Sequence, residues 1–166
     1  AWEDVSRVHV PTERLTFDRE AVNAFCSATD AFVLSPNLAR PFERLQFLRG
    51  TENLYIDLTD PPSGLLRFID AMHALSCRLV EQWAKTDVDG IVFMDDWGAQ
   101  HALLINPALW RSMFKPLYRD YVDIAHAHGK RAFMHSDGHI LAIYPDLVEL
   151  GVDAVNSQLF CMGLDE

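Results

Sequence analysis

Gly90-Ile91-Val92-Phe93-Met94-Asp95-Asp96-Trp97-Gly98-Ala99-Gln100-His101 is the stretch on which the fold turns. Its first half is a short apolar run that reads as a buried strand. Its second half puts two adjacent acids, a Trp and a Gly where the strand gives way to a loop, a poor choice for packing alone. From Asn106-Pro107 a long helix follows. In parallel α/β proteins, ligands are held at the carboxyl ends of strands, so this loop is the expected floor of a site.

Working outward, the same unit recurs. Ala31-Phe32-Val33-Leu34-Ser35 reads as a buried strand ended by Pro36-Asn37, and Arg131–His135 and Val152–Asn156 as two more. Between them lie helices. One spans about 40–48, with Phe42, Leu45 and Leu48 inward and Gly50 as its stop. A second runs from Asp60-Pro61-Pro62 to about Lys85, with Thr59 or Asp60 as its cap. The longest repeats Trp110, Met113, Phe114, Leu117, Tyr118, Tyr121, Val122 and Ala125 at helical spacing, with a break expected at Pro116. Another fills 140–150 before Gly151. Asn53–Thr59 fits a strand or a helical turn. Residues 1–30 form an irregular lead-in with a short helix over 17–27, packed through Ala21, Val22, Ala24 and Phe25. Asp87-Val88-Asp89-Gly90-Ile91-Val92 echoes Gly151-Val152-Asp153-Ala154-Val155-Asn156, the mark of a repeating unit. The order predicts one α/β domain over residues 1–166, with about four parallel strands covered by helices. An open doubly wound sheet and half of an eight-stranded barrel both fit.

Composition sets the outer limits. The 166 residues are 49% hydrophobic and 23% charged, with a formal net charge of −10, which argues against a nucleic-acid partner. Apolar runs are too short for a membrane span. Glu3 and Asp4 stand where a secretory leader would be apolar. Three widely spaced cysteines, Cys26, Cys77 and Cys161, suggest a reducing, cytoplasmic setting.

The expected strand ends gather Ser35, Asp95, Asp96, His135, Asp137 and Asn156. His135 and Asp137 are two apart, so an extended backbone aims both at one face. Such a pair can bind a divalent metal or work as an oriented acid and base, and Asp95 or Asp96 would complete three ligands. Asp137 can instead cap the helix that follows it, and His135 can be a core histidine. His126, His128 and His139 read as surface residues, and His73 with Cys77 as a packed helix face.

Phe47-Leu48-Arg49-Gly50-Thr51-Glu52-Asn53, Val88-Asp89-Gly90, Asp95-Asp96-Trp97-Gly98-Ala99-Gln100, Phe114-Lys115-Pro116 and His135-Ser136-Asp137-Gly138 occur in an order that resembles the uroporphyrinogen decarboxylase superfamily. The resemblance implies part of a TIM-type (β/α)8 barrel with its site at the strand carboxyl ends. It also implies either tetrapyrrole decarboxylation or methyl transfer between a corrinoid on a partner protein and a thiol. Decarboxylases of the family carry Ser or Thr where Asp96 stands, and Asp96 would repel a substrate carboxylate. The methyltransferase branch has His-x-Cys-Gly, with His and Cys on zinc, where this chain has His135 and Asp137.

The leading expectation is therefore metal-assisted methyl transfer, with Asp95, Asp96 and His135 catalytic and His135 and Asp137 on a divalent metal such as zinc. Ser35, Trp97, Gln100 and Asn156 would contact a small-molecule, tetrapyrrole or corrinoid substrate. Decarboxylation and a non-catalytic binding role are the alternatives. An exposed inner barrel face predicts a homo-oligomer.

Overall fold

In the computed structural model, which describes Trp2 and residues 8–164, the strands form one parallel sheet. They are β1 (Leu34–Asn37), β2 (Gly90–Met94), β3 (Arg131–Ser136) and β4 (Ala154–Ser157), arranged in chain order. A doubly wound sheet reverses its strand order part-way; this one does not, which is the arrangement of an arc of a barrel. Ile91, Phe93, Ala132, Met134 and Ser136 are buried on the face that meets the helices. Val92, Met94, Phe133 and His135 lie on the other face and are only partly covered.

The helical layer consists of α1 (Arg19–Ser27), α2 (Pro41–Arg49), α3 (Thr51–Thr59), α4 (Ser63–Ala84), α5 (Pro107–Met113), α6 (Lys115–Ala127) and α7 (Tyr144–Leu150). Pro116 breaks the long helical pattern as expected: α5 and α6 meet at Phe114, and Pro116 occupies the first turn of α6, where no intrahelical N–H is required. Trp110, Phe114, Tyr118, Tyr121, Val122 and Ala125 are fully buried along the two helices. The ambiguous segment is helical: Leu54 and Leu58, four apart, are buried, while Ile56 points to solvent.

Several expectations need correction. Leu48 is exposed, because two steps of three residues from Phe42 rotate it about 120° away from the buried stripe. Helix α1 buries no residue, and Phe25 faces solvent; Asp18 holds its start by accepting from Ala21 N–H. Helix α4 begins only after Pro62 and has no side-chain cap from Thr59 or Asp60. The first strand starts at Leu34 rather than Ala31, and Phe32 is 63% exposed. Being an edge strand, β1 tolerates Pro36, which lacks an N–H. Its register with β2 is irregular there, and Ser35 Oγ accepts from Val92 N–H (2.9 Å). The fourth strand likewise starts two residues late, after Gly151 (φ 85°) has ended α7 in the left-handed region.

The echoed sequence has a physical role. Asp89 exchanges bonds with Val33: its carboxylate accepts from Val33 N–H (2.7 Å), and its own N–H donates to Val33 carbonyl (2.8 Å). Asp153 does the same with Ala132, at 2.8 and 2.9 Å. Each acid ties the start of one strand to the start of its neighbour, at the amino-terminal end of the sheet. The repeat thus serves stability, leaving the opposite end for a site.

Candidate functional site

Beyond the last ladder pairs, the loops after β2 and β3 remain bonded to each other. Asp95 N–H donates to His135 carbonyl (3.2 Å), Gly98 N–H to Asp137 carbonyl (3.0 Å), and His139 N–H to Ala99 carbonyl (2.8 Å). This close approach explains two glycines. A Cβ on Gly98 would collide with the Gly138–His139 backbone, and one on Gly138 with the Gly98 backbone; Gly138 also has φ +78°. Sequence reasoning missed this lock, although a Gly three residues after both Asp95 and His135 was a usable signal.

The paired loops carry the strand alternation onward, so neighbouring residues face opposite ways. Met94 pairs with His135 and His135 with Asn156. One pleat further on, Asp137 N–H donates to Asp96 Oδ1 (3.0 Å). His135, Asp96 and Asp137 therefore converge on the open face. His135 Nε2 is 3.7 Å from Asp96 Oδ1 and 3.7 Å from Asp137 Oδ1. Both separations are too long for hydrogen bonds. Asn156 Oδ1 accepts from His135 Nδ1 at 2.6 Å. With Nδ1 donating to Asn156, Nε2 points toward the two carboxylates. Nε2 and the two carboxylates then meet with no side-chain donor among them, although Asp96 Oδ1 also accepts from the Asp137 N–H. That arrangement suits a cation, and nitrogen with carboxylate oxygen is a harder donor set than one containing thiolate. Asp137 is accordingly not a helix cap: the 3-10 turn Leu141–Ile143 and α7 start later, and neither carries a side-chain cap.

The residues in between face the helices. Asp95, expected to be catalytic, is fully buried with both oxygens occupied. Oδ1 accepts from Glu43 N–H (2.9 Å), and Oδ2 from Phe42 N–H (2.9 Å) and Tyr118 O–H (2.6 Å). Helix α2 has no cap from its own Arg40, so Asp95 supplies one from the end of the neighbouring strand β2. Burial pushes the Asp95 carboxyl up to about 7, against the pull of these donors. Trp97, expected to contact substrate, is also fully buried. It stacks on Phe42 at 4.4 Å and donates from Nε1 to Tyr118 Oη (2.8 Å). Ser136 Oγ accepts from Trp97 N–H in the same layer. Ser35 is committed to repairing the β1 edge, and Gln100 is exposed on the loop. Of the expected site residues, the structure brings together Asp96, His135, Asp137 and Asn156. It assigns Asp95, Trp97 and Ser35 to packing.

A family model described as uroporphyrinogen decarboxylase (URO-D) matches residues 1–158. The chain belongs to the uroporphyrinogen decarboxylase family. No curated protein and no solved structure matches it. The uroporphyrinogen decarboxylase family folds as a TIM barrel, and four parallel strands in chain order with helices on one face agree with an arc of that barrel. In the barrel, the Asp96–His135–Asp137 cluster lies where this architecture places its chemistry, at the carboxyl ends of strands. No helix among the described residues is long and apolar enough to cross a membrane.

Proposed function

We propose that this family member binds a divalent cation through Asp96, His135 and Asp137, and acts in corrinoid-linked methyl transfer rather than in tetrapyrrole decarboxylation. The observation that carries the reading is the convergence of His135 Nε2 and the Asp96 and Asp137 carboxylates, each 3.7 Å from the ring nitrogen, with no side-chain donor between them. The three residues are partly exposed on the open sheet face, so a metal and an acceptor molecule can both reach them. A tetrapyrrole acid is a poor fit, since its carboxylates would meet Asp96 and Asp137.

Each residue has a defined task. Asn156 holds the His135 ring and fixes the proton on Nδ1, the second-layer support expected for a metal-bound imidazole. Asp96 and Asp137 supply the charge that offsets the cation, and the Gly98–Gly138 lock sets their spacing. A metal bound there lowers the pKa of a coordinated thiol or water and orients it. Asp137, standing where the methyltransferase branch has a zinc-binding thiolate, shifts the preference toward harder ions such as manganese or iron(II).

Metal analysis of chelator-free protein tests the reading. One equivalent of divalent metal at this site is expected, lost in His135→Ala and weakened about 10–100-fold in Asn156→Ala. Demethylation of a free methylcorrinoid by a thiol should follow the same order. Metal content unchanged by His135→Ala would remove the metal role, and turnover of uroporphyrinogen would reverse the choice of reaction.

A further inference from the structure

A second group of metal-ligating side chains sits on the outer, helical layer, away from the sheet. His73 and Cys77 occupy successive turns of α4, and Asp120 faces them from α6. His73 Nε2 lies 2.8 Å from Asp120 Oδ2, and Cys77 Sγ lies 3.6 Å from the same nitrogen. Tyr121 Oη is 3.1 Å from His73 Nδ1, and Tyr121 also bonds Ser76. His73 is mostly covered, with 18% of its side chain exposed, whereas Asp120 is 57% exposed.

We propose that His73, Cys77 and Asp120 form a zinc-type site that clamps α4 to α6, with its fourth position open to water. The donor set is one imidazole, one thiolate and one carboxylate, which neutralises a divalent ion and favours zinc or cobalt over magnesium. At the usual Zn–N and Zn–S lengths, a tetrahedral site holds nitrogen and sulfur about 3.5 Å apart. The metal-free distance of 3.6 Å is of the same size, with the sulfur still to turn toward the lone-pair side of the ring.

Capture requires two small movements. Sγ is also 3.8 Å from Nδ1, so the sulfur lies against the ring and has to turn outward about its Cα–Cβ bond. Asp120 has to retreat by about half an ångström to reach a tetrahedral nitrogen–oxygen separation, and its exposure leaves room for that. The thiol releases its proton to solvent on binding. The His73 proton moves to Nδ1, where Tyr121 Oη accepts it, and the Tyr121 hydroxyl keeps Ser76 as its own partner. The imidazole thereby gains the outer hydrogen bond that metal-bound histidines generally have.

Cobalt(II) titration separates this site from the Asp96–His135–Asp137 cluster, because only a thiolate ligand gives an intense near-ultraviolet charge-transfer band. In full-length His135→Ala protein, one equivalent of cobalt with that band is expected, displaced by zinc. Adding Cys77→Ser should abolish the band, and adding Asp120→Asn should weaken binding at least tenfold. Metal-free His135→Ala and His135→Ala/Cys77→Ser proteins should unfold at similar urea concentrations, so loss of the band is not loss of the fold. Absence of the band in His135→Ala protein, or its persistence after Cys77→Ser, would overturn the proposal while leaving the first site untouched.

Discussion

Tyr118→Phe removes one oxygen that two fully buried groups share. The Tyr118 hydroxyl donates to Asp95 Oδ2 at 2.6 Å and accepts from Trp97 Nε1 at 2.8 Å, with all three residues buried. Phenylalanine keeps the ring packing and leaves both partners short of a bond. Orphaning the buried Trp97 N–H costs about 2 kcal/mol, and an ionised Asp95 that keeps only the Phe42 and Glu43 N–H donors loses a charge-assisted bond worth about 2 kcal/mol more, so the loss is about 4 kcal/mol when Asp95 is ionised. The loss also depends on pH. Burial holds the Asp95 carboxyl at about 7 in the folded protein, well above its unfolded value of about 3.9. The native state therefore binds the proton more tightly than the unfolded state. Stability falls as pH rises between those two values, by about 1.4 kcal/mol per unit. Without the tyrosine donor the folded value climbs further, and the fall continues past pH 7. Urea denaturation followed by circular dichroism should give a Tyr118→Phe deficit of about 2 kcal/mol at pH 5.5, where chiefly Trp97 N–H is orphaned, and about 4 kcal/mol at pH 8.5. Taking the difference between variant and parent cancels the effect of the net charge. A deficit under about 1 kcal/mol at pH 8.5, or one independent of pH, would refute this account of the buried network.

Three further outcomes follow from the same geometry. Gly138→Ala should cost about 3 kcal/mol in urea denaturation and weaken metal binding, because it adds a backbone collision to a left-handed φ; Gly129→Ala, at φ +71° with open space around it, should cost only about 1 kcal/mol. Burial alone would raise the Asp153 carboxyl, but bonds from Ala132 N–H, His126 and Arg131 outweigh it and hold the group at about 2. Its contribution, about 1–2 kcal/mol after solvent screening, is present at neutral pH and lost as pH falls from about 3.9 toward 2; Asp153→Asn should match that loss at pH 7 and converge with the parent near pH 2. An open groove of about 300 Å³ lies by the starts of β1, β3 and β4, lined by Phe32, Leu34, Arg131, Phe133, Asp153 and Ala154. Self-association through it should appear in sedimentation at micromolar concentration, and a monomer at every concentration would exclude it.

Local pattern alone located most elements. The runs at Gly90–Met94 and Arg131–Ser136 were legible because central strands of a parallel sheet are apolar along their length. The α5–α6 break was legible because proline has a fixed steric consequence. The edge strands β1 and β4 were placed two to three residues off. Their pairing is one-sided, and in β1 the register with β2 is irregular, with Val92 N–H bonded to Ser35 Oγ. The site was half legible: spacing put His135 and Asp137 on one face, but nothing local marked Asn156 as the partner of His135 Nδ1.

Met94–His101 shows the division most clearly. Its sequence determined that a strand ends there and that a polar loop with two adjacent acids follows, and it left both Asp95 and Asp96 as candidates for the site. Which acid enters the site was decided only when α2 and α6 packed against one face of the sheet. That packing drew Asp95 and Trp97 into the helical layer with Tyr118 and the start of α2, and left Asp96 beside His135 and Asp137. A two-residue period separates the faces of a strand, but only the tertiary fold tells one face from the other, because only the fold brings up the distant N–H groups that a buried carboxylate requires.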